Sequence, residues 1–232
     1  MPTPIAFSTP TFLSVLALAG VCAAAALAHG DVAPQPVDTA GLPELGGDWL
    51  SENPYRAETA GADVWRRAIT VGASGYTQNC ARCHGLEGIS GGLAPDLRFL
   101  EASGYDDEWY VERFRYGYTQ GGTTKMPAFE EVMNQEAAWA IRTYIETRPD
   151  DVAVEAVSDE LKAMRDALLD GAGTDEAAMA ARLHDIAGQI ETLSGAPVAD
   201  SIALRAALVL EADPTAHKDA AEILTVGLSA AQ

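Results

Sequence analysis

Apolar residues recur at helical spacing in several separate stretches of this 232-residue chain. From Ala62 to Asn79, Val64, Trp65, Ala68, Ile69 and Gly72 fall along one face and predict a helix. A shorter helix is expected from Asp106 to Tyr116, where Trp109, Tyr110, Arg113 and Phe114 sit on adjacent turns. A third runs from Gln135 to Thr147 with Trp139, Ile141, Tyr144 and Ile145 as its apolar positions. The intervening stretches lack this periodicity. Gly85, Gly88, Gly91 and Gly92 make 85–95 a loop, and 117–129, with Gly121-Gly122 and Met126-Pro127, reads as another. Residues 29–61 begin rich in Pro, Gly and Asp and read as an extended arm lying on whatever follows. After Pro149 the pattern changes. Residues 150–232 have no Trp, Tyr, Phe or Cys, and their Ala-rich periodicity predicts four helices near 158–170, 174–193, 200–211 and 215–228. Ser158, Thr174 and Asp200 are plausible N-caps, and Gly171 and Gly195 plausible stops. No strand of any length is convincing, so the expected class is all-α.

Charge narrows the partners. The formal net charge is −19, with 10 basic and 18 acidic residues in 29–149 and five against 16 in 150–232. Such a surface excludes nucleic acid, whose phosphates need Lys and Arg to neutralise them, and disfavours an anionic membrane. It suits a partner with a basic face. The apolar run Phe12–Ala28, ending Ala26-Leu27-Ala28, has the form of a signal peptide (1–28) with a small-x-small cleavage site, although Met1–Thr11 lacks Lys and Arg. Cleavage would remove Cys22, leave two cysteines in an exported protein without stable membrane insertion, and provide no disulfide framework.

Those two cysteines carry the chemistry. In Cys80-Ala81-Arg82-Cys83-His84, two thiols three residues apart can each add to one vinyl group of a haem, with His84 held beneath the iron as its proximal ligand. Zinc could use the same three side chains, but adjacent ligands strain a tetrahedral site and no further Cys completes it. A redox Cys-x-x-Cys would need neither His84 nor the glycine loop behind it. One covalent haem c is therefore the expected cofactor. Met126, 42 residues beyond His84 and backed by Pro127, is the candidate sixth ligand, because Met133, Met164 and Met179 fall on or near helices with apolar neighbours. His184 and His217 are alternatives, and a terminal amine-plus-imidazole site at His29 is conceivable. The Nδ1–H of His84 needs an acceptor, and the Pro95 carbonyl is placed to supply it. Arg98, Arg113, Arg115 and Tyr118 are candidate donors to the haem propionates.

Together, the haem motif, Gly72 and Tyr76 eight and four residues before Cys80, Pro95, Met126-Pro127, and Ile141 with Tyr144 resemble the class I cytochromes c. The resemblance implies two helices crossing near the haem edge, Gly72 permitting their close approach while Tyr76 packs on Ile141 and Tyr144. It covers a haem domain at 62–149 and extends into the arm, leaving 150–232 as an extra acidic helical segment. More narrowly, Tyr76–Glu87, Ser90–Arg98, Lys125–Phe129 and Trp139–Thr147 are similar to the PedF-type cytochromes, periplasmic electron acceptors of quinoprotein (PQQ-dependent) alcohol dehydrogenases. That implies a periplasmic electron carrier, not an enzyme, between such a dehydrogenase and an oxidase or second cytochrome. The alternative is a haem enzyme or gas sensor, peroxidase-like, with a displaceable sixth ligand.

Overall fold

Residues 33–171 and 175–230 are described by a computed structural model. The apolar N-terminal run, Cys22, His29 and Thr174 lie outside the described residues. Among the described residues, ten helices alternate with short loops: α1 (Ala57–Ala60), α2 (Ala62–Asn79), α3 (Ala81–His84), α4 (Gly104–Tyr116), α5 (Gln135–Glu146), α6 (Asp151–Ala156), α7 (Ser158–Asp170), α8 (Glu176–Ala187), α9 (Ile202–Ala212) and α10 (His217–Ala230). Two 3-10 turns, Leu86–Gly88 and Leu97–Phe99, sit between α3 and α4. The fold is that of a class I cytochrome c carrying an extra helical segment.

The crossing of α2 and α5 organises the first part of the chain. A Cβ added at Gly72 would stand 2.0 Å from the Ala140 carbonyl oxygen and 2.8 Å from the Tyr144 Cβ, so only glycine lets the two backbones meet. One turn later Tyr76 and Tyr144 pack with ring centroids 5.3 Å apart. Every side chain from Ala137 to Arg148 is buried, because α4, the arm and the residues after Pro149 cover what α2 does not. The arm is held by polar ties. Leu45 N–H donates to Glu136 Oε1 (2.8 Å), Gln135 Nε2 donates to the Gly46 and Asp48 carbonyls (2.8 and 3.0 Å), and Asn53 N–H donates to Asp107 Oδ2 (2.9 Å).

One expectation fails locally. Residues 118–126 form a two-stranded antiparallel hairpin, β1 (Tyr118–Gln120) with β2 (Thr123–Met126), pairing Gln120 with Thr123 and Tyr118 with Met126. Gly121 and Gly122, at φ of 59° and 76°, supply the two positive-φ positions of a tight hairpin turn, a signal the exposed, polar strands hide from a periodicity argument.

Beyond Pro149 the predicted helices form with shifted caps. Asp175 accepts from the N–H group of Ala178 (3.0 Å), and Ser201, not Asp200, accepts from that of Leu204 (3.2 Å). Gly171 closes α7 in the left-handed conformation, whereas α8 ends at Ala187, well before Gly195. A short α6 precedes the four. α7 to α10 share an aliphatic core of their own, with Leu161, Leu168, Leu183, Ile186, Leu210 and Leu224 essentially inaccessible. This core meets the first part of the chain through polar links: Asp150 N–H to the Glu191 carbonyl (2.8 Å), Ser194 Oγ to the Glu146 carbonyl (2.5 Å), and Arg148 Nη1 to Asp200 (3.1 Å).

Candidate functional site

The Cys80–His84 segment is built at the end of α2. The Cys80 N–H still donates to the Tyr76 carbonyl (2.8 Å), and Cys83 and His84 N–H groups return to the Cys80 carbonyl (3.1 and 2.9 Å), closing the single turn of α3. Gly85 then reverses the chain at φ 81°, where a Cβ would fall 1.8 Å from the Ile89 carbonyl oxygen. Tyr76 Oη donates to the Gly85 carbonyl (2.8 Å), and burial pushes its hydroxyl pKa up, keeping it a donor. Both thiols are free. Burial, and secondarily Cys83, pushes the unmodified Cys80 thiol up to about 12, while Cys83 is exposed.

The imidazole of His84 is oriented from one side. Its Nδ1 lies 2.8 Å from the Pro95 carbonyl oxygen, which leaves Nε2 without a partner among the described residues. The loop carrying Pro95 is tightly knit, with Ser90 Oγ donating to the Ala94 carbonyl (2.5 Å) and Ser90 N–H to Asp96 Oδ2 (3.3 Å). Met126 ends β2, half-buried against the same core that Cys80 packs on. Its position is fixed from behind by Gly117 (φ 69°), where a Cβ would lie 2.4 Å from the Met126 carbonyl oxygen and 2.7 Å from the Pro127 carbonyl carbon.

The rival ligands are placed elsewhere. Met133 and Met164 are buried in the two cores, and Met179 is half-buried against the second. His184 Nε2 contacts Glu211 and His217 Nε2 contacts Glu176, each at 2.9 Å. Among the described residues no group of three or more His, Cys, Asp and Glu side chains is placed to hold a metal ion.

Arg98 is held between two protein carboxylates. Its Nε and Nη2 donate to both oxygens of Asp96 (3.1 and 2.8 Å), and Nη1 and Nη2 to both oxygens of Asp151 (2.7 and 3.1 Å), with the Pro149 carbonyl 3.3 Å from Nη1. These donors are spent on protein acceptors, because a buried guanidinium needs the paired charge that two carboxylates give. Burial works to raise the Asp96 pKa, but the Arg98 guanidinium and backbone donors hold it below the usual carboxylate range. Asp96 and Gly117 are not singled out by the sequence pattern, and Gly85 enters it only as a loop glycine; only the first had a local signal. An Asp two residues before the Arg whose N–H it caps was the available signal for the first. Arg113 lies over the rings of Trp109 and Tyr118, and Arg115 pairs with Glu130 (2.8 Å).

These residues fit covalent haem. Two unpaired thiols three residues apart precede an imidazole with one nitrogen anchored and the other open. Between His84 and Met126 the chain also presents an unusual run of exposed apolar side chains, including Leu93, Phe99, Trp109 and Tyr118. Fold and donor set together define a class I c-type cytochrome. The comparisons agree. A family model described as cytochrome c oxidase, cbb3-type, subunit III matches residues 67–145. Cytochrome c550 of Pseudomonas aeruginosa is 52% identical over 134 residues, which is 57% of this chain and 90% of that protein. The chain belongs to this family of c-type cytochromes, and with it carries covalently bound haem c and acts in electron transfer. Two quinohemoprotein alcohol dehydrogenases of Pseudomonas putida, ADH IIB and ADH-IIG, are similar over short segments. They are 33% identical over 82 residues (34% of this chain, 11% of that protein) and 31% over 90 (38% and 12%). No solved structure matches the chain. No helix among the described residues is long and apolar enough to cross a membrane.

Proposed function

We propose that this protein is a periplasmic mono-haem cytochrome that takes single electrons from a quinoprotein alcohol dehydrogenase and passes them to an oxidase or second cytochrome of the respiratory chain. The observation that carries the reading is the 2.8 Å approach of His84 Nδ1 to the Pro95 carbonyl directly beside the two free thiols. In this reading Cys80 and Cys83 would form the thioether links, and His84 Nε2 and the Met126 sulfur would hold the iron. When bound, haem c supplies a one-electron iron couple. The chain does the rest without an acid, base or nucleophile. The Pro95 carbonyl holds the His84 ring in one tautomer and raises its basicity. Gly117 and the β1–β2 turn hold the Met126 backbone at one depth. The dehydrogenase assignment draws on the segment similarity to two quinohemoprotein alcohol dehydrogenases and on the acidic surface, which suits a donor with a basic rim.

Mixing the oxidised protein with a quinoprotein alcohol dehydrogenase and its alcohol tests the proposal. The haem should be reduced by one electron per chain, more slowly as ionic strength rises. In Met126→Ala the far-red methionine-to-iron absorption band should vanish. A band that survives this substitution removes Met126 as ligand, and salt-independent reduction removes charge-steered docking.

A further inference from the structure

Through Asp151 the residues after Pro149 reach back to the loop that carries Pro95. Asp151, the first residue of α6, grips the Arg98 guanidinium with both carboxylate oxygens, and Arg98 grips Asp96 with both of its own. Asp96 directly follows Pro95, so the Asp96 nitrogen and the Pro95 carbonyl belong to one rigid peptide plane. The Asp96 carboxylate also accepts from the backbone N–H groups of Ser90 (3.3 Å) and Arg98 (3.0 Å). It therefore cannot turn without breaking four hydrogen bonds. Arg98 is only 6% exposed, and its planar fork fixes direction as well as distance.

We propose that the C-terminal helical segment is a strut on the haem site: Asp151, through Arg98 and Asp96, fixes the Pro95 carbonyl that orients His84. The inference rests on the reading of His84 as axial ligand, and it gives 150–232 a role in tuning that ligand. The strut has a firm footing. Asp150 N–H is tied to the Glu191 carbonyl, Ala199 N–H to the Thr147 carbonyl, and Arg148 to Asp200, so α6 starts from a fixed position at the end of α5. Asp96, Arg98 and Asp151 are positioning residues. None of them need touch the haem. A carbonyl that stays in line with Nδ1–H makes the imidazole a stronger donor to iron and favours the oxidised state. Loosening it raises the midpoint potential.

The test uses the full-length haem-loaded protein and two variants that each remove one negative charge. Asp151→Asn cuts the strut, whereas Asp159→Asn neutralises a fully exposed carboxylate on α7. Two readouts are taken: exchange of the His84 Nδ1 proton by NMR, and the midpoint potential. In Asp151→Asn the proton should exchange about tenfold faster, as expected when a charge-assisted hydrogen bond is weakened, and the potential should rise. Asp159→Asn should match the wild type in both. Arg98→Lys, which cannot bridge two carboxylates bidentately, should move both readouts the same way as Asp151→Asn. Unchanged exchange in Asp151→Asn, or equal shifts in Asp151→Asn and Asp159→Asn, overturns the strut. A wild-type protein with no exchange-protected imidazole proton overturns the His84–Pro95 reading, and the strut with it.

Discussion

The two cores of this molecule are made of different materials. Around α2, α4 and α5 the interior is aromatic and charged, with Tyr55, Tyr76, Tyr110, Phe114, Phe129, Trp139 and Tyr144 packed beside buried Asp107, Arg142 and Glu146. Around α7 to α10 the buried core is aliphatic apart from Met164, and the charges stay outside, as in the Arg182–Glu160 pair. Buried ion pairs contribute little net stability, because desolvation offsets most of their attraction, but they fix geometry and are costly to break singly. Arg142 Nε on Asp107 (2.9 Å), and Arg56 on both Asp107 (2.9 Å) and Glu146 (2.8 Å), tie arm, α4 and α5 into one arrangement. Burial raises the Glu146 pKa even though both arginines oppose it, so this arrangement carries a charge penalty for its precision. An aliphatic core carries none. The core of the haem region is built for position, the C-terminal core for cohesion.

The sharpest way to break that contrast is at Gly72. Gly72→Val places atoms where the Ala140 carbonyl already stands, 2.0 Å from the Cβ, and two helix backbones cannot both step aside. A loss of about 5 kcal/mol or more is expected, read as failure to accumulate haem-loaded protein. Gly91→Ala, whose Cβ would meet nothing within 4 Å, is the matched control and should leave the yield unchanged. In the other core, Leu183→Ala removes a side chain with 0% exposure. It should lower unfolding stability in guanidinium by about 3 kcal/mol while the methionine-to-iron band stays as in the wild type. A lost band would show that the aliphatic core also positions the ligands directly.

What could be read from the chain follows the same divide. Helices with a strong apolar period, α2 and α7 to α10, were legible because they pack along one face, and α5 was legible from Trp139, Ile141, Tyr144 and Ile145 although it is buried all round. The Cys80–His84 motif and Met126-Pro127 stand out in the sequence because the proposed ligand chemistry needs those residue types. The hairpin at 118–126 does not, since its strands are too short and exposed to show alternation, and its turn glycines read equally well as loop. The pairing of Arg98 with two carboxylates was hidden for a related reason. A lone Arg near a haem motif has no spacing that tells a propionate from a carboxylate, and its partner Asp151 lies 53 residues away across a change in composition. α7 to α10 were visible as helices, but α6 and the tie of Asp151 to Arg98 were not, because a single short turn and an ion pair leave no periodic pattern.

The smallest expected effect separates the two kinds of charge. Arg182 on α8 reaches Glu160 on α7 through two hydrogen bonds (2.6 and 2.7 Å), yet both side chains are nearly half exposed. The hydrogen bond from Arg182 lowers the Glu160 pKa. A depressed carboxylate pKa means the contribution is present above the ordinary Glu value of about 4.3 and is lost as pH falls through the lowered one. The difference in Tm between wild type and Arg182→Gln should therefore be slight near neutrality and shrink toward zero in acid. It should also fade in about 1 M salt, where the screening length is about 3 Å. The Asp96–Arg98–Asp151 chain is shielded from solvent at its guanidinium, so the exchange and potential shifts of Asp151→Asn should persist in that same salt. If salt erased both effects alike, the buried and surface charges would differ in location only, and the distinction between positioning and cohesion would lose its physical basis.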